Sequence, residues 1–363
     1  MIILAYIVLT FTGIQLIVAL VNLLSETIIP PASGVSKKLV SVLIPARNEE
    51  KNIGLLLDDL LSQDYGNLEI IVFNDQSDDS TDKIVTEYTI SDRRVRLINS
   101  PGLPQGWLGK NFACHSMATE ATGSFFLFLD ADVRISGNMI ERAVGFSEKN
   151  DLSLVSVFPE QEIVTMGEWI TVPNMNFILL SLLPLILVRK TRFPSLAAAN
   201  GQFMFFEAEN YRELNPHEIM KNNRVEDISI ARLYKKTGHR VACMLGDDDL
   251  TCRMYTRFMD AVSGFSKNVT AFFGNSFILA TLFWIITTFG FIPVLLSTPP
   301  IVFTAFLAAY IATRIIISAA SRQKIIYNLV FIIPLQISLA FFIYTALKNR
   351  IYGKYKWKGR NID

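Results

Sequence analysis

Two aspartates, Asp130 and Asp132, directly follow the five apolar residues of FFLFL, 125–129. Carboxylates at i and i+2 on the end of a buried strand offer the hard oxygens that Mg2+ or Mn2+ takes alongside substrate phosphates and water. An ion there would neutralise a departing diphosphate by Lewis-acid action. The same pair also suits a plain acidic turn. A second acidic pair, Glu226 and Asp227, opens the segment 222–238, whose apolar positions recur at helical spacing. Acidic residues favour a first helical turn. Neighbouring carboxylates also raise one another's pKa, as a general base requires.

Other segments carry polar residues suited to the same chemistry. SVLIPARNEE, 41–50, reads as a strand ended by Pro45, with Asn48 capping a helix that begins at Glu49 and Glu50. VFNDQSDDST, 72–81, sets Asp75, Asp78 and Asp79 at the next strand end, as nucleoside-binding carboxylates or as capping residues. GWLGKNFA, 106–113, places Lys110 at a helix start as a phosphate contact, with Trp107 as a lid beside it. In AAANGQF, 197–203, Asn200 and Gln202 are suited to sugar hydroxyls. Arg253 and Lys267 precede a long apolar block, as membrane-surface anchors or as pyrophosphate contacts.

Elements that would position these residues follow from hydrophobic patterning. Strands are expected at 39–45, 68–73, 94–98 and 125–129, and helices at 48–62 and 80–88. This alternation belongs to an α/β domain with a mainly parallel sheet, which binds ligands at the carboxyl ends of its strands. The domain is expected over 39–268.

Its flanks are apolar. Residues 1–25 contain no charged side chain and are long enough to cross a bilayer. Lys37 and Lys38 follow, which puts the N-terminus outside and the domain in the cytoplasm. From 271 to 347 there is no Asp or Glu, and three apolar runs are expected at about 272–296, 301–320 and 325–347. The stretch 177–188 is short enough for an interfacial or buried helix. Three crossings would leave the basic tail, 348–363, outside, against the positive-inside rule. One run is therefore re-entrant or flat, with Gly290 and Pro293, or Pro334 and Gln336, as the breaking residues.

Composition agrees with a membrane protein. Of 363 residues 51% are hydrophobic and 18% charged, below the roughly 25% charged of soluble domains. A net charge of +1 gives no global field pointing to nucleic acid. Three scattered cysteines and three scattered histidines indicate neither a disulfide framework nor a zinc site.

Taken in order, Pro45 to Glu49, Asp75, the DxD at Asp130 to Asp132, and Glu226–Asp227 resemble the family 2 glycosyltransferases, over about 39–268. The GWLGK, ANGQF, RMY, GFSKN and terminal WKGR segments are similar to its lipid-modifying members, carotenoid glycosyltransferases and more distantly ceramide glucosyltransferases. The resemblance implies a GT-A fold. It also implies that Pro45, Arg47, Glu49 and Asp75 surround the nucleoside and that Lys110 reaches its phosphates. Asp130 and Asp132 would engage ribose, metal and diphosphate, with Asp227 the base, Glu226 beside it and Arg253 on the diphosphate. One departure stands out: the QxxRW of processive synthases is replaced by Leu250, Thr251, Cys252, Arg253 and Met254.

The expected function is inverting transfer of a sugar from a UDP-type donor to a lipid acceptor, a carotenoid or other isoprenoid, at the cytoplasmic face of the cell membrane. Two alternatives stay open: a polyprenyl-phosphate acceptor, and a non-catalytic membrane scaffold with a degenerate sugar-nucleotide domain.

Overall fold

The computed structural model describes residues 1–32 and 37–352, and the backbone alone of Lys356–Trp357 and Arg360–Asn361. Helix α1 (Ile2–Leu24) forms from the uncharged leading segment. Strands and helices then alternate: β1 (Val40–Ala46), α2 (Ile53–Leu61), β2 (Leu68–Asn74), α3 (Thr81–Ser91), β3 (Val95–Asn99), α4 (Gly109–Glu120) and β4 (Phe125–Leu129). Next come β5 (Val133–Ile135), α5 (Met139–Asn150), β6 (Leu154–Phe158), β7 (Glu160–Gln161) and α6 (Met166–Trp169). The expected helix over 48–62 starts later than its acidic residues suggest. Asn48 is left-handed (φ 53°) and its side-chain oxygen accepts from the Asp78 amide at 2.8 Å, so the chain turns before α2 begins.

The stretch expected at 177–188 is two helices, α7 (Pro173–Leu182) and α8 (Leu185–Lys190), broken at Pro184 and buried over most of α7. Strand β8 (Phe203–Glu207) and helices α9 (Ala208–Leu214), α10 (Pro216–Ile219) and α11 (Glu226–Lys236) follow. Strands β9 (Val241–Leu245) and β10 (Leu250–Cys252) and helix α12 (Phe258–Asn268) complete the domain.

The main sheet has seven strands in the order β3-β2-β1-β4-β8-β6-β9. All pairings are parallel except those of β8, which runs against both β4 and β6. Alternation along β1 sorts side chains between the two faces: Val42 and Ile44 join one buried cluster with α2 and α5, and Leu43 the other with α4, α7 and α11. The second cluster continues into α12 and the apolar flank, so domain and flank share one core.

The flank comprises α13 (Phe277–Phe289), α14 (Phe291–Ser297), α15 (Pro300–Ala320), α16 (Ile325–Val330) and α17 (Ile332–Tyr352). Helices α1, α15 and α17 are each long and apolar enough to cross a membrane. The expected run 272–296 does not form one such helix. Its start is a corner, where α12 and the 3-10 turn Val269–Phe273 meet α13 at 98°. It breaks again at Gly290, because Pro293 has no N–H and its ring opposes the carbonyl of Phe289. Pro334 falls in the first turn of α17, where a missing N–H is tolerated.

Val294 of α14 clusters with Ala5 and Val8 near the start of α1 and with Phe306 of α15. At the other end of α15, Arg322 pairs with Glu160 and Asp248 of the domain, at 2.7 and 2.5 Å. Helices α13 and α14 therefore lead away from the domain and α15 returns to it. Helix α17 lies against α12 and α13, with Phe342 on Phe265, Trp284 Nε1 donating to the Gln336 carbonyl at 2.9 Å, and Arg350 over the Phe277 ring. In the tail, the side chains of Lys354, Lys356, Trp357, Lys358 and Arg360 lie outside the described residues.

Candidate active site

Parallel strands β1 and β4 end side by side, which brings Pro45, Arg47 and Glu49 toward Asp130 and Asp132. Because β8 is antiparallel, its entrance faces the same edge. The loop Asn200–Gln202 thus reaches the end of β4, where the Asp130 amide donates to the Gln202 carbonyl at 3.2 Å. Helix α11 starts at this edge with Glu226 and Asp227. Together these segments line an open polar cavity of about 630 Å³.

Lys110, on the first turn of α4, is the hub. Its Nζ lies 2.7 Å from Asp130 Oδ1 and 3.6 Å from Glu226 Oε1, and donates to the Gly201 carbonyl at 3.2 Å. Asp227 Oδ2 accepts from the Gly201 amide at 3.1 Å and Oδ1 from the Ile228 amide at 2.7 Å. Gly201 packs closely on this cluster: a Cβ there would lie 3.0 Å from Lys110 Nζ and 3.4 Å from Glu226 Oε1. Burial raises the Glu226 and Asp227 carboxyls above the ordinary carboxylate range. Lys110 opposes that rise, while Asp227 adds to it at Glu226. The neighbouring carboxylates of Asp130 and Glu226 outweigh burial at Lys110 and hold it firmly protonated.

Most residues singled out in the sequence meet in this cavity: Pro45, Arg47, Glu49, Lys110, Asp130, Asp132, Asn200, Gln202, Glu226 and Asp227 all line it. Asn200 and Gln202 do so with side chains already engaged. The Asn200 amide donates to Gln202 Oε1 at 3.3 Å, and Gln202 Nε2 to Cys252 Sγ at 2.8 Å. Asp75 is buried behind the cavity, where its carbonyl accepts from Arg47 Nη1 at 2.5 Å. Arg253 does not line the cavity; its Nε donates to Glu168 Oε1 at 2.8 Å, and Glu168 is wholly buried in the capping box of α6. Trp107 packs on His115 and Phe112 rather than over the cavity.

Sequence reasoning passed over Arg224, Asp260 and Ser263, and noted Met254 and Asn268 only within their motifs; all five line the cavity. Tyr255, noted only within its motif, forms the wall between this cavity and a narrow apolar cleft of about 80 Å³. The ring lies so close to Gly264 that a Cβ there would sit 1.9 Å from its hydroxyl. A tyrosine nine residues before a glycine, across the start of α12, was the available signal.

The apolar cleft is lined by Val172, Met175, Ile228, Phe265 and Phe272, with Asn176, Asn200 and Asn268 as amides. Asp227 is on the wall of both spaces. Among the described residues there is no group of three metal-ligating His, Cys, Asp or Glu side chains. Two carboxylates on an open wall suit an ion that completes its shell with substrate oxygens and water.

Residues 41–214 match the model of glycosyl transferase family 2. The match covers the sheet edge from β1 to β8 and ends before α11, so the Glu226–Asp227 pair lies outside it. Over 245 residues the chain is 25% identical to 4,4'-diaponeurosporenoate glycosyltransferase of Staphylococcus haemolyticus, covering 65% of this chain. The chain spans about 62% of that relative's length. An uncharacterized glycosyltransferase, EpsJ of Bacillus subtilis, is 32% identical over 117 residues, covering 32% of this chain and 33% of that protein. Among solved structures, the mannosyltransferase PcManGT of Pyrobaculum calidifontis, in complex with GDP-Man and Mn2+, superposes with a TM-score of 0.58 at 17% identity. That likeness of fold covers 96% of this chain and 99% of the other. Residues 41–214 thus carry a glycosyl transferase family 2 domain, within a chain that has the GT-A fold.

Proposed function

We propose that the chain transfers a sugar, with inversion, from a nucleotide-diphosphate donor of UDP type to a lipid acceptor at the cytoplasmic face of the cell membrane. The observation that carries this reading is the position of Asp227, on the wall shared by a polar cavity and an apolar cleft. The cavity takes the donor: Pro45, Arg47 and Glu49 stand at the nucleoside end and Lys110 at the phosphates. The cleft takes the end of an acceptor chain rising between α7 and α12, both of which pack against apolar flanking helices. An isoprenoid such as a carotenoid fits that chemistry, as the name of the Staphylococcus relative also suggests.

Asp227 accepts the proton of an acceptor hydroxyl, or orients the acceptor if its end group is already a carboxylate. Lys110 and the helix start it occupies face the charge that grows on the diphosphate. Asp132 and Asp130 would hold Mg2+ or Mn2+, which when bound adds Lewis-acid stabilisation of the leaving group.

Arg224 and Lys267 on the rim favour a second reading, in which a polyprenyl phosphate is the acceptor. The test is transfer from labelled nucleotide sugars to extracted native lipids, with the product identified by mass. A product stable to mild acid supports a glycoside or ester, and an acid-labile one the phosphate-linked sugar. Asp227→Asn should lower kcat by about 10²- to 10⁴-fold while UDP binding in Mn2+ persists. Unchanged turnover would remove Asp227 from its role. Failure of the native protein to bind UDP would instead favour a non-catalytic scaffold.

A further inference from the structure

A second cavity, of about 390 Å³, lies at the opposite end of α11 from Asp227. Its walls come from the end of α5, the end of α8 and the turn before β9, and its polar lining is mostly basic: Arg189, Lys190, Arg192, His239 and Arg240, beside Asn150 and Thr191. Both His239 ring nitrogens are engaged, with Thr237 at 2.9 Å and Asn210 at 3.1 Å. Arg189 pairs with Glu26 at 2.9 Å, and Arg240 reaches Asp151 only at 3.9 Å. Among the described residues Lys190 and Arg192, both exposed, have no ion-pair partner. The backbone that presents them is held from behind by Lys235 Nζ, which donates to the Leu196 carbonyl at 3.0 Å and to the Phe193 carbonyl at 3.4 Å.

Three observations set the depth of this cavity. Glu26 stands two residues beyond the end of α1, where the chain leaves the apolar helix, and it grips Arg189 on the cavity wall. Asn22, in the last turn of α1, accepts from the Leu185 amide at the start of α8. Phe193, beside Arg192, is 65% exposed, an aromatic ring suited to the boundary between headgroups and acyl chains.

We propose that this cavity binds the phosphate of an anionic phospholipid headgroup, with Lys190 and Arg192 as its principal contacts and Phe193 inserted beside the acyl chains. A guanidinium fork and an ammonium are matched to phosphate oxygens. The proposal requires that α1 enters a bilayer and is independent of which sugar or acceptor the first cavity takes. Binding there fixes one end of α11 at the headgroup plane, roughly 16 Å from the carboxylates at its other end.

The test uses the full chain in neutral detergent micelles and reads the thermal unfolding midpoint. Dioctanoyl phosphatidylglycerol should raise the midpoint saturably. Half-saturation should move at least tenfold higher in K190Q/R192Q and stay unchanged in K83Q/R93Q, which removes two exposed charges elsewhere. An equal rise with dioctanoyl phosphatidylcholine, or an equal response in K190Q/R192Q, overturns the proposal, as does an equal loss in K83Q/R93Q. If inorganic phosphate reproduces the effect at the same concentration, the cavity takes free phosphate and the lipid assignment fails.

Discussion

With Lys110 Nζ 2.7 Å from Asp130 and 3.6 Å from Glu226, one part-buried cation balances a cluster of carboxylates. Replacing it by Met leaves those charges uncompensated, which should cost on the order of 3 kcal/mol of stability. A lower thermal midpoint for K110M, partly restored by K110R, checks this. The same cluster sets a pH dependence. Burial, with Asp227 adjoining and Lys110 opposing, pushes Glu226 up to about 7, and Asp227 is also raised. A base must be ionised, so activity is present above the raised pKa and lost as pH falls through it. The acid limb of kcat/KM is therefore expected above the usual carboxylate range near 4. A limb within that range would contradict this electrostatic picture. At this scale most of the site was legible, because an acidic strand end or a charged helix start advertises itself in neighbouring residue types. Arg253 misleads because its partner, Glu168, is 85 positions away and nothing local announces the pairing. Arg224 and Asp260 went unnoticed because ordinary surface charges look the same.

Helix α1 is fastened to the domain by one polar residue in an apolar helix. Buried Asn22 donates to the carbonyls of Leu180 and Leu183, at 3.1 and 2.9 Å, and accepts from the Leu185 amide at 2.7 Å. These groups lie where α7 ends and α8 begins, the place where Pro184 interrupts the ladder. Asn22→Ala leaves them unsatisfied in apolar surroundings, at an expected cost of about 2–3 kcal/mol. Thermal unfolding in detergent measures it, and an unchanged midpoint would mean that the helix is held by apolar packing alone. Strands β1 to β4 follow closely from hydrophobic runs bounded by turn residues. The flanking helices follow less well, since an apolar run has the same composition whether it is straight, broken at Pro293 or turned through 98° before Phe277. Tertiary partners decide between those forms.

Across the whole molecule, the path of the flank bears on the side reached by the tail. Helix α1 is long and apolar enough to cross a membrane, α13 with α14 lead away from the domain, and α15 returns to Glu160 and Asp248. If α17 lies along α12 and α13 without crossing, the basic tail stays on the side of the domain, as the positive-inside rule asks. A green fluorescent protein fused after Asp363 should then fluoresce, and an alkaline phosphatase fused there should be inactive. The reverse pattern would make α17 a crossing helix. The antiparallel β8 has a consequence for biogenesis. Strands β1 to β4 are all made before residue 130, yet the edge of β4 has no neighbour until Phe203–Glu207 arrives, and Asp227 follows later still. A chain emerging from the ribosome therefore passes through a stage with half a sheet, an open apolar edge and no assembled site. If α1 has by then entered a membrane, the domain must close its sheet while tethered, under whatever protection the insertion machinery and chaperones give that edge.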